Sequence, residues 1–351
     1  MKKRISTFIC MMLCTTLFLN GCSFSKKPVL NKYSQVLFDY FDTVATIVGY
    51  EETEEEFHQI CSFIESELAR YDGLYDNYNT LSSVNNLYVV NRDAGKAPVS
   101  VDEDMIKLFT LGKEIYASTN GLTDFAMGSV FSIWHDHREE ASFDPANASV
   151  PDLAKLEEAS LHCNIDDIII DESASTIAYA DPLLKCDVGA FAKGYAIERI
   201  TQDLIEMGVT HYSLNIGGNV RTIGTKPDGS NWTVAIQNPD LSSEESYSEV
   251  ISFCDMALST SGSYQRFYYV GDIKYHHIIN PKTLFPEDNF LSVSVLNTDA
   301  GLGDAYSTAL FNMSLEEGQE FVKNLDNTEA MWILPDGSKV YSDGFEAYIK
   351  K

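Results

Sequence analysis

Positive charge is what this chain has least of. It carries 25 Lys and Arg against 52 Asp and Glu, a formal net charge of −27 over 351 residues. Such a surface repels phosphate backbones, which excludes a general nucleic-acid binder. A small anion can still bind where local cations, helix N-termini or a metal offset the field. Long apolar runs are also missing: the stretch from Phe8 to Leu19 is too short for a comfortable bilayer span. No CxxC pair and no HExxH occurs, which argues against a zinc site. There is no internal repeat, no low-complexity segment and no clear linker. With 44% apolar and 22% charged residues, the chain is neither disordered, collagen-like nor a multi-span membrane protein, and it can bury a sizeable core.

The most definite local pattern is N-terminal. Lys2, Lys3 and Arg4 precede the apolar run, which ends Leu19-Asn20-Gly21-Cys22. That is the layout of a secretory signal, and a small residue before Cys resembles a bacterial lipobox. The reading predicts a lipoprotein signal peptide over 1–21, lipid on Cys22, a tether over 22–34 and one domain over 35–351. The protein would then sit outside the cytoplasm, anchored to a bacterial membrane. The mature chain is more acidic still, so anchoring must come from the lipid rather than from charge. An ordinary signal peptide or an uncleaved anchor is the alternative. Cys61, Cys163, Cys186 and Cys254 remain, as disulfides or as buried thiols.

β-Branched residues predict a strand over 35–50. Phe57, Ile60, Cys61, Ile64 and Leu68 follow at helical spacing. Ser100 and Glu103 read as a capping box for a helix that Asn120-Gly121 stops. Residues 136–160 read as irregular. Short strands are expected near 167–170 and 175–179, and a helix through Ile197 to Met207. Strands are then expected at 211–216, 219–224, 231–236, 250–258, 264–270, 274–279 and 291–296. Two helices from about Asp304 to Leu325 and strands at 329–334 and 338–342 complete the chain. Helices and strands mix without a βαβ repeat, so the fold class is α+β, mainly antiparallel.

Five segments could carry chemistry. In Asp187-Val188-Gly189-Ala190-Phe191-Ala192-Lys193-Gly194-Tyr195, an acid leads through Gly into a helix start whose N–H groups suit a phosphate. Lys193 opposes the helix dipole there, which favours an anionic ligand over stability. A plain strand-to-helix turn with a surface Lys fits equally. Gly217-Gly218, within Asn215 to Val220, permits close backbone approach to a ligand or simply a tight hairpin. His276 and His277 are adjacent on an expected strand, so only one can face a site; otherwise one is exposed and one is a core His. Asp304 and Thr308 lie at i and i+4, hard oxygen ligands on one helix face that suit Mg²⁺, although Asp304 could merely cap its helix. Thr119 to Asp124, followed by Gly128 and Trp134, reads as a helix stop and a buried Trp.

Taken in order, these segments resemble the ApbE family of FAD:protein FMN transferases. The resemblance runs from about Phe41 to Phe321. It is carried by Phe41 to Thr46, Asn120 to Trp134, Asp187 to Tyr195, Asn215 to Asn219, Ala257 to Gly262, His277 to Pro281 and Asp304 to Leu310. It implies a Mg²⁺-dependent enzyme that cleaves FAD, attaches FMN to a Thr of an acceptor protein and releases AMP. Asp187 and Lys193 would contact FAD. Val44, Tyr78, Leu122, Thr123, Asp124 and Ile278 would line its pocket. The Ala190 carbonyl, Asp304 and Thr308 would hold Mg²⁺. For the reaction so implied, His277 is the candidate to help deprotonate the acceptor Thr, since an imidazole can take a proton near neutral pH, or else only to position the flavin or phosphate. Three positions depart from the family pattern: Val44 stands for Met, Asn280 for Asp, and Gly121-Leu122-Thr123-Asp124-Phe125-Ala126 for Gly-x-Phe-Asp-x-Thr. An FAD pyrophosphatase or a non-catalytic flavin-binding lipoprotein would use the same site. No segment of the family's acceptor type, Asp/Ser-Gly-x-Ser/Thr-x-Thr, is found here, so the acceptor is another protein.

Overall fold

The computed structural model describes residues 29–351. The expected signal peptide and Cys22 lie outside the described residues. In chain order the strands are β1 Asn31–Tyr40, β2 Thr43–Glu51, β3 Val99–Ser100, β4 Ile168–Asp171, β5 Thr176–Tyr179, β6 Tyr212–Ile216, β7 Asn219–Ile223, β8 Trp232–Gln237, β9 Tyr247–Phe253, β10 Ala257–Gly262, β11 Phe267–Val270, β12 Ile273–His276, β13 Ser292–Asn297, β14 Glu329–Ile333 and β15 Lys339–Tyr341. An eight-stranded antiparallel sheet, ordered β1-β2-β6-β7-β10-β13-β14-β15, forms the centre. Smaller sheets pair β3-β5-β4, β8-β9 and β11-β12. The class is therefore α+β, as expected.

The middle of the sheet is buried on both faces, and its sequence shows why. On β13 and β14, Val293, Val295, Ala330 and Trp332 point to one apolar layer, while Leu296, Met331 and Ile333 point to another. Alternation of this kind sends successive side chains to opposite faces. One face is covered by the helices Glu54–Tyr75, Ala192–Glu206 and Ala300–Phe311. The other is covered by the β8–β9 hairpin and Phe345. A lateral cluster of Val130, Trp134, Leu156, Tyr268 and Ile279 joins the helices Gly128–Phe143 and Leu153–Ser160 to β11 and to the segment after β12.

Four expected elements are redrawn. The strand expected at 35–50 begins earlier, at Asn31, and is a hairpin. Phe41 and Asp42 both take φ of 52° between paired Tyr40 and Thr43, the two positive φ angles of a tight hairpin turn. The Phe41 N–H donates to Asp72 Oδ1 at 2.8 Å, which holds this strained turn in place. The strand expected at 250–258 is broken where Asp255 takes φ of 54°, and its halves enter different sheets. The helix Glu103–Ser118 is capped by Asp102 through the Asp104 N–H, while Ser100 ends β3. The stretch 136–160 is largely helical rather than irregular: Val130, Trp134 and Ala141 are the inner face of Gly128–Phe143. Cys61, Cys163, Cys186 and Cys254 are all unpaired thiols.

Candidate active site

A cleft with a cavity volume of about 370 Å³, within the range of small-molecule sites, opens between the central sheet and the lateral cluster. Its floor is the crossing of two helix starts. The Ala192–Glu206 helix follows the loop Asp187–Phe191, whose Phe191 and Ala192 N–H groups both donate to Val188 O. Gly194 N donates to Asp304 Oδ2 at 2.9 Å, from the Ala300–Phe311 helix. Three of the N–H groups expected to await a phosphate are thus already spent. Asp304 acts as the missing cap of the neighbouring helix. It does not cap its own, because Asp299 does so through the Leu302 N–H.

The crossing is close because Gly194 has no side chain. A Cβ there would stand 2.2 Å from Ala300 O and 2.6 Å from Asp304 Cβ. Asp304 is only 6% exposed, and burial, opposed by nearby Lys193 and the Gly194 N–H, raises its pKa. Asn219, from β7, is buried beside it. The Asn219 amide favours the ionised Asp304 but falls short of a full hydrogen bond, leaving Nδ2 without a partner. Thr308 Oγ1 lies 3.3 Å from Ser261 Oγ on β10, one helical turn after Asp304. Ala190 also lines the cleft, and the turn bonds around it run to Val188 O and Phe191 O rather than to its own carbonyl.

This oxygen set fits Mg²⁺. Among the described residues no group of three or more His, Cys, Asp or Glu could hold a metal ion, which disfavours ions needing a full protein shell. A hard cation that keeps water and takes phosphate oxygens needs only a few such ligands. The Asp304 carboxylate, the Thr308 hydroxyl and the Ala190 carbonyl would supply them.

The cleft is less acidic than the chain as a whole. Arg138, Lys193 and Arg266 line it with Asp42, Asp124, Asp187 and Asp304, three bases to four acids against 25 to 52 overall. Lys193 Nζ reaches only the Gly189 carbonyl, at 3.4 Å. Asp187 Oδ1 accepts the Gly189 N–H at 2.8 Å, which shapes the loop. Asp124 also lines the cleft, and burial lifts its pKa to about 7, against the Ala126 N–H that accompanies it. Tyr78 lies against His135, ring centres 5.1 Å apart, and Leu122 and Ile278 add apolar wall.

The two histidines differ sharply. His276 is buried with both ring nitrogens engaged: Nε2–H donates to Glu287 O at 3.0 Å, and Nδ1 accepts the Ile278 N–H at 3.2 Å. His277 is open to the water of the cleft while protein surrounds it. Its Nδ1 faces Arg266 O at 3.2 Å, so Nδ1 carries the proton and Nε2 is left as an acceptor. Desolvation, then the charge of Arg266 and the neighbouring His276, push its pKa down, so it is neutral near pH 7.

One expected pocket residue stands elsewhere, and another lines the cleft with its hydroxyl already spent. Val44 is 47% exposed on the outer face of β2, and its neighbours Phe41, Asp42 and Thr43 line the cleft instead. The Thr123 side chain lines the cleft, but its hydroxyl is occupied, donating to Ala305 O at 2.8 Å and pinning the loop to the Ala300–Phe311 helix. Arg138 and Arg266 were not singled out from the sequence, and Asn219 entered only as part of the Asn215 to Val220 segment, with no role of its own. The spacing of Trp134 and Arg138, one helical turn, was the available sign for the first.

Comparison with known proteins agrees with this architecture. Residues 41–332 match the ApbE family. A protein named FAD:protein FMN transferase from Klebsiella pneumoniae is 27% identical over 293 residues, covering 81% of this chain and 87% of its own. A protein of the same name from Treponema pallidum is 29% identical, covering 71% of both chains. The crystal structure of the ApbE protein from Thermotoga maritima superposes with a TM-score of 0.79 at 24% identity, over 92% of this chain and all of that one. With the family match spanning most of its length, and a fold shared over 92% of the chain with a solved member, the chain belongs to the ApbE family.

Proposed function

We propose that this protein is an FAD:protein FMN transferase that attaches FMN through a phosphoester bond to a threonine of an acceptor protein and releases AMP. The observation that carries the reading is the convergence of Asp304, Thr308, Ala190, Lys193 and His277 on one cleft, in a chain of this family. Asp304, Thr308 and the Ala190 carbonyl would hold Mg²⁺. When bound, Mg²⁺ neutralises pyrophosphate oxygens and makes the phosphorus attackable. Lys193 lies where it offsets charge on the same phosphates. His277 Nε2 accepts the proton of the acceptor hydroxyl. The threonine oxygen then bonds to the FMN phosphorus as the bond to the AMP phosphate breaks, and AMP leaves. Arg266 places His277 through its carbonyl.

The N-terminal pattern supports attachment through lipid on Cys22 and an extracytoplasmic place of work. Cys22→Ala should leave the detergent phase while the purified body keeps its turnover. Equal partitioning of variant and parent would remove the anchor. The activity itself is tested by incubating the protein with FAD, Mg²⁺ and a candidate acceptor, read by intact mass. Free FMN and AMP with no mass gain on any acceptor would mean that water, not threonine, is the acceptor.

A further inference from the structure

The two helices that cross under the cleft exchange carboxylates. Asp304 accepts Gly194 N, as described, and Glu198 Oε2 accepts Ala300 N at 2.9 Å. Each acid lies four residues after the N–H that the other acid caps. The same Glu198 oxygen accepts Arg221 Nε at 2.9 Å, and Oε1 receives Arg221 Nη2 at 3.4 Å. Arg221 Nη1 donates to Thr222 O at 2.8 Å. Both ends of the pair are buried, Glu198 at 7% and Arg221 at 5% exposure. Arg221 lies two residues beyond Asn219 on β7, so the pair ties that strand to both helix starts.

A buried ion pair is weak evidence for stability, since its desolvation offsets its attraction. Its geometry does something more specific here. The helix that carries Asp304 starts at Ala300, and Ala300 N is held by a carboxylate that Arg221 grips through both Nε and Nη2, so the pair fixes where this helix start, and Asp304 one turn along it, sits at the crossing. We infer that Glu198 and Arg221 are positioning residues that set the place of the Asp304 carboxylate at the cleft, and through it the affinity for the divalent cation. The inference rests on the reading of Asp304 as a metal ligand.

The test uses Glu198→Asp and Arg221→Lys, which keep the charges but shorten the reach or remove the two-sided grip. Mn²⁺ binding without FAD is followed by the loss of the free-ion resonance. Folding is checked by urea denaturation, and FAD affinity by titration. Groups that orient a metal ligand affect affinity by about 10- to 100-fold, so Glu198→Asp should bind Mn²⁺ at least about tenfold more weakly. It should remain folded, with acceptor KM unchanged and kcat lowered. Should Glu198→Asp fail to fold, Arg221→Lys carries the same test. Mn²⁺ affinity equal to wild type in a folded variant would overturn the inference, provided Asp304→Asn has lost it. Unchanged Mn²⁺ affinity in Asp304→Asn would instead sink the metal reading itself.

Discussion

Gly194→Ala isolates the helix crossing on which the site is built. The added Cβ would lie 2.2 Å from Ala300 O and 2.6 Å from Asp304 Cβ. Contacting carbons settle at about 3.5–4.0 Å, so the helices must part by roughly 1 Å or more. The nearest obstacle is a backbone carbonyl inside a helix, which cannot swing aside as a side-chain tip would. Overpacking of this kind costs about 1–3 kcal/mol. Against it stands the gain in helix propensity from Gly to Ala, at most about 1 kcal/mol and less in a first turn. The clash wins, for a net loss of about 1–2 kcal/mol. The urea midpoint should fall at constant slope. Mn²⁺ affinity should fall with it, because the displaced atom is Asp304 Cβ. Gly303→Ala is the control from the same helix, on the face that packs against β10 and β13. Its Cβ would meet Ser259 Oγ at 3.4 Å and Asn297 Cβ at 3.5 Å, both ordinary contacts. That variant should gain up to about 1 kcal/mol. A Gly194→Ala protein as stable as its parent, with unaltered Mn²⁺ affinity, would refute the reasoning.

Three other perturbations separate chemistry from scaffold. His277→Asn should abolish most transfer in the mass assay while FAD titration stays near wild type; equal loss from His276→Asn, after correcting for folded fraction, would reject the distinct roles. His276→Asn should instead cost about 1–3 kcal/mol in denaturation, through buried groups left unpaired. Lys193→Ala should weaken FAD binding by about 1.5–3 kcal/mol, as for other charge-assisted contacts, and an unchanged calorimetric affinity would return Lys193 to a surface role. Asp124 bears on pH: its folded pKa of about 7 lies above the unfolded carboxylate near 3.9. The native state therefore holds more protons between those values, and ligand-free stability should fall as pH rises from about 4 through 7. Asp124→Asn should flatten that fall, and equal effects of the substitution on unfolding free energy at pH 4 and pH 8 would contradict the assignment.

Much of the architecture was legible because it is local. The spacing of Phe57, Cys61, Ile64 and Leu68 marks a helix face that is buried as expected. The antiparallel strands from β6 onward mostly stand where alternation and turn residues placed them. The misreadings have two causes. From residue 136 on, the Gly128–Phe143 helix reads as irregular because it is polar there and Arg138 faces the cleft, and a polar site face reads in sequence like loop or solvent. The breaks at Phe41-Asp42 and Asp255 escaped notice because those residues take positive φ without being Gly.

By itself, then, the sequence determined the family, the fold class and the one-turn spacing of Asp304 and Thr308, since each is written in neighbouring residues. It could not say that Asp304 would meet Gly194, 110 positions away, or that His276 would be saturated and His277 left with a free nitrogen. Nor could it say that Thr123 would spend its hydroxyl on Ala305. Those outcomes depend on which donors and acceptors remain unpaired after helices and strands have satisfied their own. That accounting closes only when distant segments are packed together, because a buried polar group must find its partner wherever the fold brings one.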